Sequence, residues 1–280
     1  MMPSEGFEWL DEGFAFLDTS QCSLAVQLGN SDVRFAITDN AQKCVVLKKI
    51  PFTRSLEMDE WAERFSLLAE NEAFFKQSYK QISIAVSTCF YTLVPKEYYE
   101  KRYEKSYLDL NFTMPAFESS FETQTLKEES IEIPFLLPEP LEKLLKKLFP
   151  KAVLLHETAV WLELLLKEDK SAHKTLHLNV HKDFLNVIVL EGQKVILSNS
   201  FSFQTPTDFL YYVMLTVREL KIREHEEIRV YGDIESGGAL CVNLEKYGLR
   251  LRWPVGNTYS TSPLPTNYYY TLLQQHTCAS

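Results

Sequence analysis

His173, His177 and His181 recur every four residues, a spacing that on a helix would align three imidazoles as metal ligands. The residues between them argue against a helix. Leu176, Leu178 and Val180 alternate with polar neighbours, the pattern of a half-buried strand. His177 and His181 then share one strand face with Asn179, and no carboxylate or thiol joins them locally, so no metal is expected. The only glycine-rich loop runs Tyr231-Gly232-Asp233-Ile234-Glu235-Ser236-Gly237-Gly238. It reads either as a backbone cradle for a ligand or as a tight turn after a strand, with Ser236 capping the next helix. A serine hydrolase needs a Gly-x-Ser-x-Gly elbow, which is absent, as are Gly-x-Gly-x-x-Gly and Asp-rich calcium loops. The carboxylates of 118–132 are scattered and read as solvated.

The elements that would position these residues come twice. After a polar lead-in, Leu24, Val26 and Leu28 alternate, Gly29-Asn30-Ser31-Asp32 turns, and Val33, Phe35 and Ile37 alternate again. A third strand covers Cys44 to Ile50; Trp61, Phe65 and Leu68 then recur at helical spacing, with Glu57, Asp59 and Glu60 near the helix start. A strand from Ile82 to Val86 closes the unit. The same order returns with strands over Leu176–Val180, Leu185–Leu190 and Val195–Phe203. Thr205 caps the following helix, with Pro206 at its first position and Asp208 three residues after the cap. Ile228 to Tyr231 closes the second unit. Gln27 and Asn179 stand 152 positions apart (179 − 27), and Ile82 and Ile228 stand 146 apart (228 − 82), so the two copies keep near-constant separation. Each copy continues with a helix, a strand and a helix: Leu141 to Leu148, Ala152 to Leu155 and onward from Glu157; then Ala239 to Tyr247, Leu249 to Trp253 and Tyr268 to Gln275. Residues 91–137 have no counterpart in the second copy and read as an insertion or small subdomain.

Composition narrows the chemistry further. The 280 residues are 45% hydrophobic and 24% charged, an ordinary globular balance, with 18 Phe, 14 Tyr and only 9 Gly. Loops that cradle phosphate on bare backbone usually use more glycine. A net charge of −9 works against nucleic-acid binding, since Lys143, Lys146 and Lys147, and the pair Arg250 and Arg252, are short basic runs that read as solvated faces. Five cysteines, odd in number and without a Cys-x-x-Cys pair, read as core residues in a reducing compartment. No signal peptide is evident at the first residues, and the most apolar helix, Val160 to Leu166, is too short to span a bilayer. A cytoplasmic location is expected, without membrane insertion.

A duplicated βββαβα unit resembles the actin, Hsp70 and sugar-kinase superfamily, and the chain looks like an uncharacterised bacterial family of unknown function with an actin-like ATPase fold. The resemblance implies an α/β fold of two ribonuclease-H-like domains facing across a cleft, residues 1–168 (with the insertion 91–137) and 169–280. The polar run Glu168-Asp169-Lys170-Ser171 reads as the exposed join. That superfamily's first phosphate loop reads Asp-x-Gly followed by hydroxyl residues, and Gln27-Leu28-Gly29-Asn30-Ser31 matches it with an amide for the carboxylate. Its second loop, an Asp followed by glycines, matches Asn179-Val180-His181-Lys182-Asp183, again an amide and with no glycine. Neither amide serves as a metal-binding anion or as a general base. A ribonuclease-H-type nuclease would equally need a carboxylate at Gln27. Leu155-His156-Glu157-Thr158-Ala159-Val160 resembles the Asn-Glu-Pro-Thr-Ala-Ala junction of chaperone relatives, and the resemblance places adenosine contacts at the Gly232 to Gly238 turn.

The expectation is therefore a non-catalytic binding or scaffold protein, a pseudo-ATPase that needs no cofactor. Gly29, Asn30, Ser31, Gly232, Gly237 and Gly238 would be the residue of its nucleotide site. The alternative is a weak ATP-binding enzyme, an ATPase or small-molecule kinase, with residues drawn from unusual positions. A protein partner is expected at the insertion, where Tyr98, Tyr99, Tyr103, Tyr107, Phe112, Phe117 and Phe121 interleave with acidic residues.

Overall fold

The computed structural model describes residues 6–126, 129–169, 171–223, 227–254 and 265–278. These divide into two compact units: residues up to Trp161 with those from Thr271 onward, and Leu162 to Tyr270. The first unit carries β1 (Phe7–Leu10), β2 (Ser23–Leu28), β3 (Asp32–Thr38), β4 (Cys44–Pro51), α1 (Trp61–Asn71) and β5 (Gln81–Val86). It continues with β6 (Val94–Pro95), α2 (Glu104–Asp109), β7 (Ser119–Leu126), β8 (Ile131–Pro138), α3 (Glu139–Leu148) and β9 (Val153–His156). Helix α4 (Glu157–Glu168) contains the division between the units.

Strands β1-β4-β3-β2-β5-β9 form one mixed sheet, in which β2, β5 and β9 run parallel. All of β3 and nearly all of β2 are buried, so both faces of the sheet are covered, and their sequences are accordingly rich in Val, Ile, Leu and Phe. Helix α1 turns Trp61, Phe65 and Ala69 inward. Phe65, Phe75 and Phe149 pack there with ring centroids 5.7–6.5 Å apart, which gives part of the high Phe count a structural role.

The second unit carries β10 (Lys174–Val180), β11 (Phe184–Glu191), β12 (Lys194–Ser202), α5 (Pro206–Glu219), β13 (Ile228–Gly232), α6 (Ala239–Lys246) and β14 (Leu251–Arg252), and reaches the start of α7 (Tyr270–Gln274). Its sheet order is β12-β11-β10-β13-β14. Apart from β1, this is the order of the first sheet. The register matches as well: Leu24 lies opposite Ile82 and Leu176 opposite Ile228, the offsets read from the sequence. Helix α5 begins as expected, with Thr205 Oγ1 accepting from Asp208 N at 3.2 Å and Asp208 accepting in turn from Thr205 N at 2.9 Å. Thr205→Ala should cost about 1 kcal/mol, read as a lower urea midpoint at unchanged slope.

Several local expectations need correction. The polar lead-in contains an unanticipated strand: Phe7 to Leu10 pair antiparallel with β4. Ser236 does not cap α6; its N-cap is Gly238, without a side-chain hydrogen bond. The join after α4 is not exposed at Asp169, which is 1% exposed. The final helix is broken into short turns around α7.

The insertion is a subdomain with its own antiparallel sheet, β6-β8-β7. Only Tyr98 and Tyr103 among its seven named rings are exposed, at 68% and 43%. Tyr99 stacks on Tyr107 with centroids 5.9 Å apart, and Phe112 meets Phe90 at 5.4 Å. Its carboxylates are not all solvated. Glu104 is buried and accepts from Tyr99 and Thr123, both at 2.6 Å, while buried Glu132 accepts from Thr125 at 2.7 Å. On α3, Lys143 and Lys146 pair with Glu139 and with Glu142 and Glu122, as a solvated helix face does. Among the described residues, no helix is long and apolar enough to cross a membrane.

Candidate functional site

The β2–β3 turn is a closed hairpin, with Gly29 N donating to Asp32 O at 3.1 Å. Its outward carbonyls are occupied: Asn30 O accepts from Leu56 N at 2.7 Å and Ser31 O from Phe52 N at 2.8 Å. Gln27, at the end of β2, is 5% exposed. Its Nε2 donates to Thr271 Oγ1 at 2.6 Å, and that hydroxyl donates on to Glu157 Oε1 at 3.3 Å. The nearest carboxylate to the turn, Asp32, is committed to Arg34 at 2.8 Å and Lys49 at 3.3 Å. Burial works to raise its pKa, but the two cations outweigh burial and hold it well below the usual carboxylate range. Gly29 does not need to be glycine. An added Cβ would meet only Asp32 O at 3.6 Å and Ser87 Cβ at 3.8 Å, ordinary contacts.

The corresponding turn of the second unit joins β10 to β11, with His181 N donating to Phe184 O at 2.9 Å. The His181 ring stacks on Phe184 at 4.1 Å and 9°. Asn179 is 2% exposed and lies opposite Asn186 and Tyr231. The chain leaving β13 passes very close to this point. Gly232 adopts φ +81°, and a Cβ there would sit 2.2 Å from Val180 O and 2.5 Å from Asn179 Oδ1. Only glycine fits. The turn that follows is pinned by Asn267, whose Nδ2 donates to Gly232 O at 3.1 Å and Ile234 O at 3.0 Å. Asn267 sits on a short 3-10 turn over Thr266–Tyr268 and is 5% exposed; no spacing in the sequence singled it out. Gly237 adopts φ +75° with nothing within 4 Å of an added Cβ. Gly232, Gly237 and Gly238 therefore lie along one turn of the second unit, and Gly29, Asn30 and Ser31 along one turn of the first.

The three spaced histidines part company. His173 is exposed, His181 stacks in its turn, and His177 is fully buried. A carboxylate does join His177: Asp169 Oδ2 lies 3.2 Å from its Nε2 and accepts from Thr175 Oγ1. Asp169 also accepts from Ser171 N at 2.9 Å and faces Arg229 at 3.8 Å. Burial pushes the His177 pKa down, against the opposing pull of Asp169. For Asp169 burial acts upward, but hydrogen bonds from His177, Thr175 and Ser171, with the charge of Arg229, hold the carboxyl far below its usual range. Among the described residues, no group of three His, Cys, Asp or Glu side chains is placed to hold a metal ion. Burial pushes the Cys44 thiol up to about 12 and the Cys241 thiol up to about 11, away from nucleophilic use.

The profile of one family, DUF3822, described as "Protein of unknown function", matches residues 11–249. The chain belongs to the DUF3822 family. No curated protein sequence matches it. Among solved structures, a Bacteroides thetaiotaomicron protein with actin-like ATPase fold and unknown function is similar, with a TM-score of 0.78 and 18% identity. That match covers 91% of this chain and 96% of the other. The PilM–PilN type IV pilus biogenesis complex matches with a TM-score of 0.51 at 12% identity, over 84% of this chain and 88% of that one. The chain thus has the actin-like ATPase fold, with two mixed sheets of matching order.

Proposed function

We propose that this DUF3822 protein is a non-catalytic binding or scaffold protein, in which Gly29, Asn30, Ser31, Gly232, Gly237 and Gly238 are the remains of a nucleotide site. The observation that carries the reading is the fate of Gln27. It stands where the superfamily resemblance puts a carboxylate, and its amide is buried and used internally on Thr271. Asn179, at the paired position, is equally buried and packs against the backbone leaving β13. An uncharged amide supplies neither the negative charge of a metal-binding carboxylate nor the basicity of a general base. The carbonyls of the Gly232 turn are likewise taken by Asn267, which supports a structural role for that turn.

A protein is the expected partner, and the fold is compatible with such work: one structural relative is the PilM–PilN complex of type IV pilus biogenesis. Phosphate release from Mg-ATP by the purified protein should stay at the level of a buffer control. Turnover above that level, lost on Gln27→Ala or Asn179→Ala, would establish the enzyme instead.

A further inference from the structure

Two adjoining cavities lie along helix α1 in the first unit, of about 290 Å³ and about 200 Å³, and they share Arg64 and Leu67 as a common wall. The larger is apolar, floored by Ile50, Phe52 and Leu68. Leu67 is 47% exposed, unusual for a leucine that walls a cavity. The smaller is polar. Most polar groups around the pair are already committed: Arg54 to Glu60 at 2.9 Å, Asn71 to Leu67 O at 2.7 Å, and Glu72 to Lys48 at 2.9 Å. Glu63 and Arg64 differ. Neither makes an ion pair among the described residues, and Arg64 rests over the Phe52 ring at 5.7 Å. One acid and one base are therefore left uncommitted side by side, next to an open apolar chamber.

We infer that this groove binds an extended peptide segment of a partner protein, carrying a bulky apolar residue beside one acidic and one basic residue. The apolar side chain fills the chamber over Phe52 and Leu67, the acid meets Arg64, and the base meets Glu63. Charge complementarity selects this occupant: an amphipathic acid alone would answer Arg64 and leave Glu63 without a counter-charge. A guanidinium already oriented over an aromatic face is a suitable anchor, because less side-chain freedom is lost on binding. One wall of the groove, residues 52–56, hangs on the carbonyls of Asn30 and Ser31. The inference stands apart from the nucleotide question, since ATP binding or its absence leaves the groove chemistry unchanged.

The test is selection of random dodecapeptides displayed on phage against the full-length protein, followed by affinity measurement of the selected peptides by fluorescence anisotropy. Peptides with an apolar residue flanked by an acid and a base are expected, weakened at least tenfold by Arg64→Glu and by Leu67→Asp. Replacing the peptide acid with Lys should restore binding to Arg64→Glu. Both substituted side chains are exposed, so melting temperatures should be unchanged, and a parallel Arg64→Gln variant guards against misfolding of the charge reversal. Selected peptides that bind Arg64→Glu, Arg64→Gln and Leu67→Asp as tightly as the parent would overturn the inference, as would a selection that enriches no such pattern.

Discussion

Gly232→Ala should destabilise the protein by about 3 kcal/mol, against about 1 kcal/mol for Gly237→Ala. Both glycines have positive φ, +81° and +75°, so both substitutions carry the strain of a left-handed backbone. They differ in what the new methyl group meets. At 232 it lies 2.2 Å from Val180 O and 2.9 Å from Val180 N, backbone atoms that cannot rotate away. At 237 it meets nothing within 4 Å. Urea midpoints at constant slope measure the pair. Equal, small losses would show that the crossing of β13 over Val180 is not as tight as described.

Asp169→Ala is expected to cost about 3 kcal/mol, because it strips a buried carboxylate from Ser171 N, Thr175, His177 and Arg229 and leaves His177 without its acidic partner. The same network makes the protein acid-sensitive. The folded pKa of His177 is depressed, so between the unfolded value of about 6.5 and the lower folded one the unfolded chain binds more protons, and stability falls as pH drops. The folded pKa of Asp169 is also depressed, so its contribution is complete above about pH 4 and lost as pH falls further. Both act in the same direction. Half-buried His276, also held below its ordinary pKa by desolvation, adds to it, so the His177 share is isolated by comparing the wild type with His177→Gln at pH 7.5 and 5.5. The wild type should lose more stability over that interval; identical losses would contradict the assignment.

Much of the architecture was legible because it is written twice. Alternation in Leu24 to Leu28 and in Leu176 to Val180 marks two first strands, and the paired offsets reappear as strand register. The capping box at Thr205 was equally plain, since it depends on residues three apart. What stayed hidden depends on long-range partners. Strand β1 has only four residues and reads as lead-in until β4 lies beside it. Pro134, a residue that disfavours strands, lies inside β8, past the point where the β6 ladder ends at Glu132. Asp169 looked like part of an exposed join because the groups that bury it come from β10 and β13. Asn267 gave no signal, since its role is to meet two carbonyls more than thirty residues away.

The most direct test of the non-catalytic reading is a calorimetric titration of the protein with Mg-ATP, with the melting temperature followed alongside. No saturable heat and no melting shift are expected up to millimolar Mg-ATP. A ligand at a hundred times its dissociation constant would add about 2.7 kcal/mol, which a melting curve resolves easily. A saturable isotherm with such a shift, abolished by substituting Gly237 and Gly238, would contradict the account.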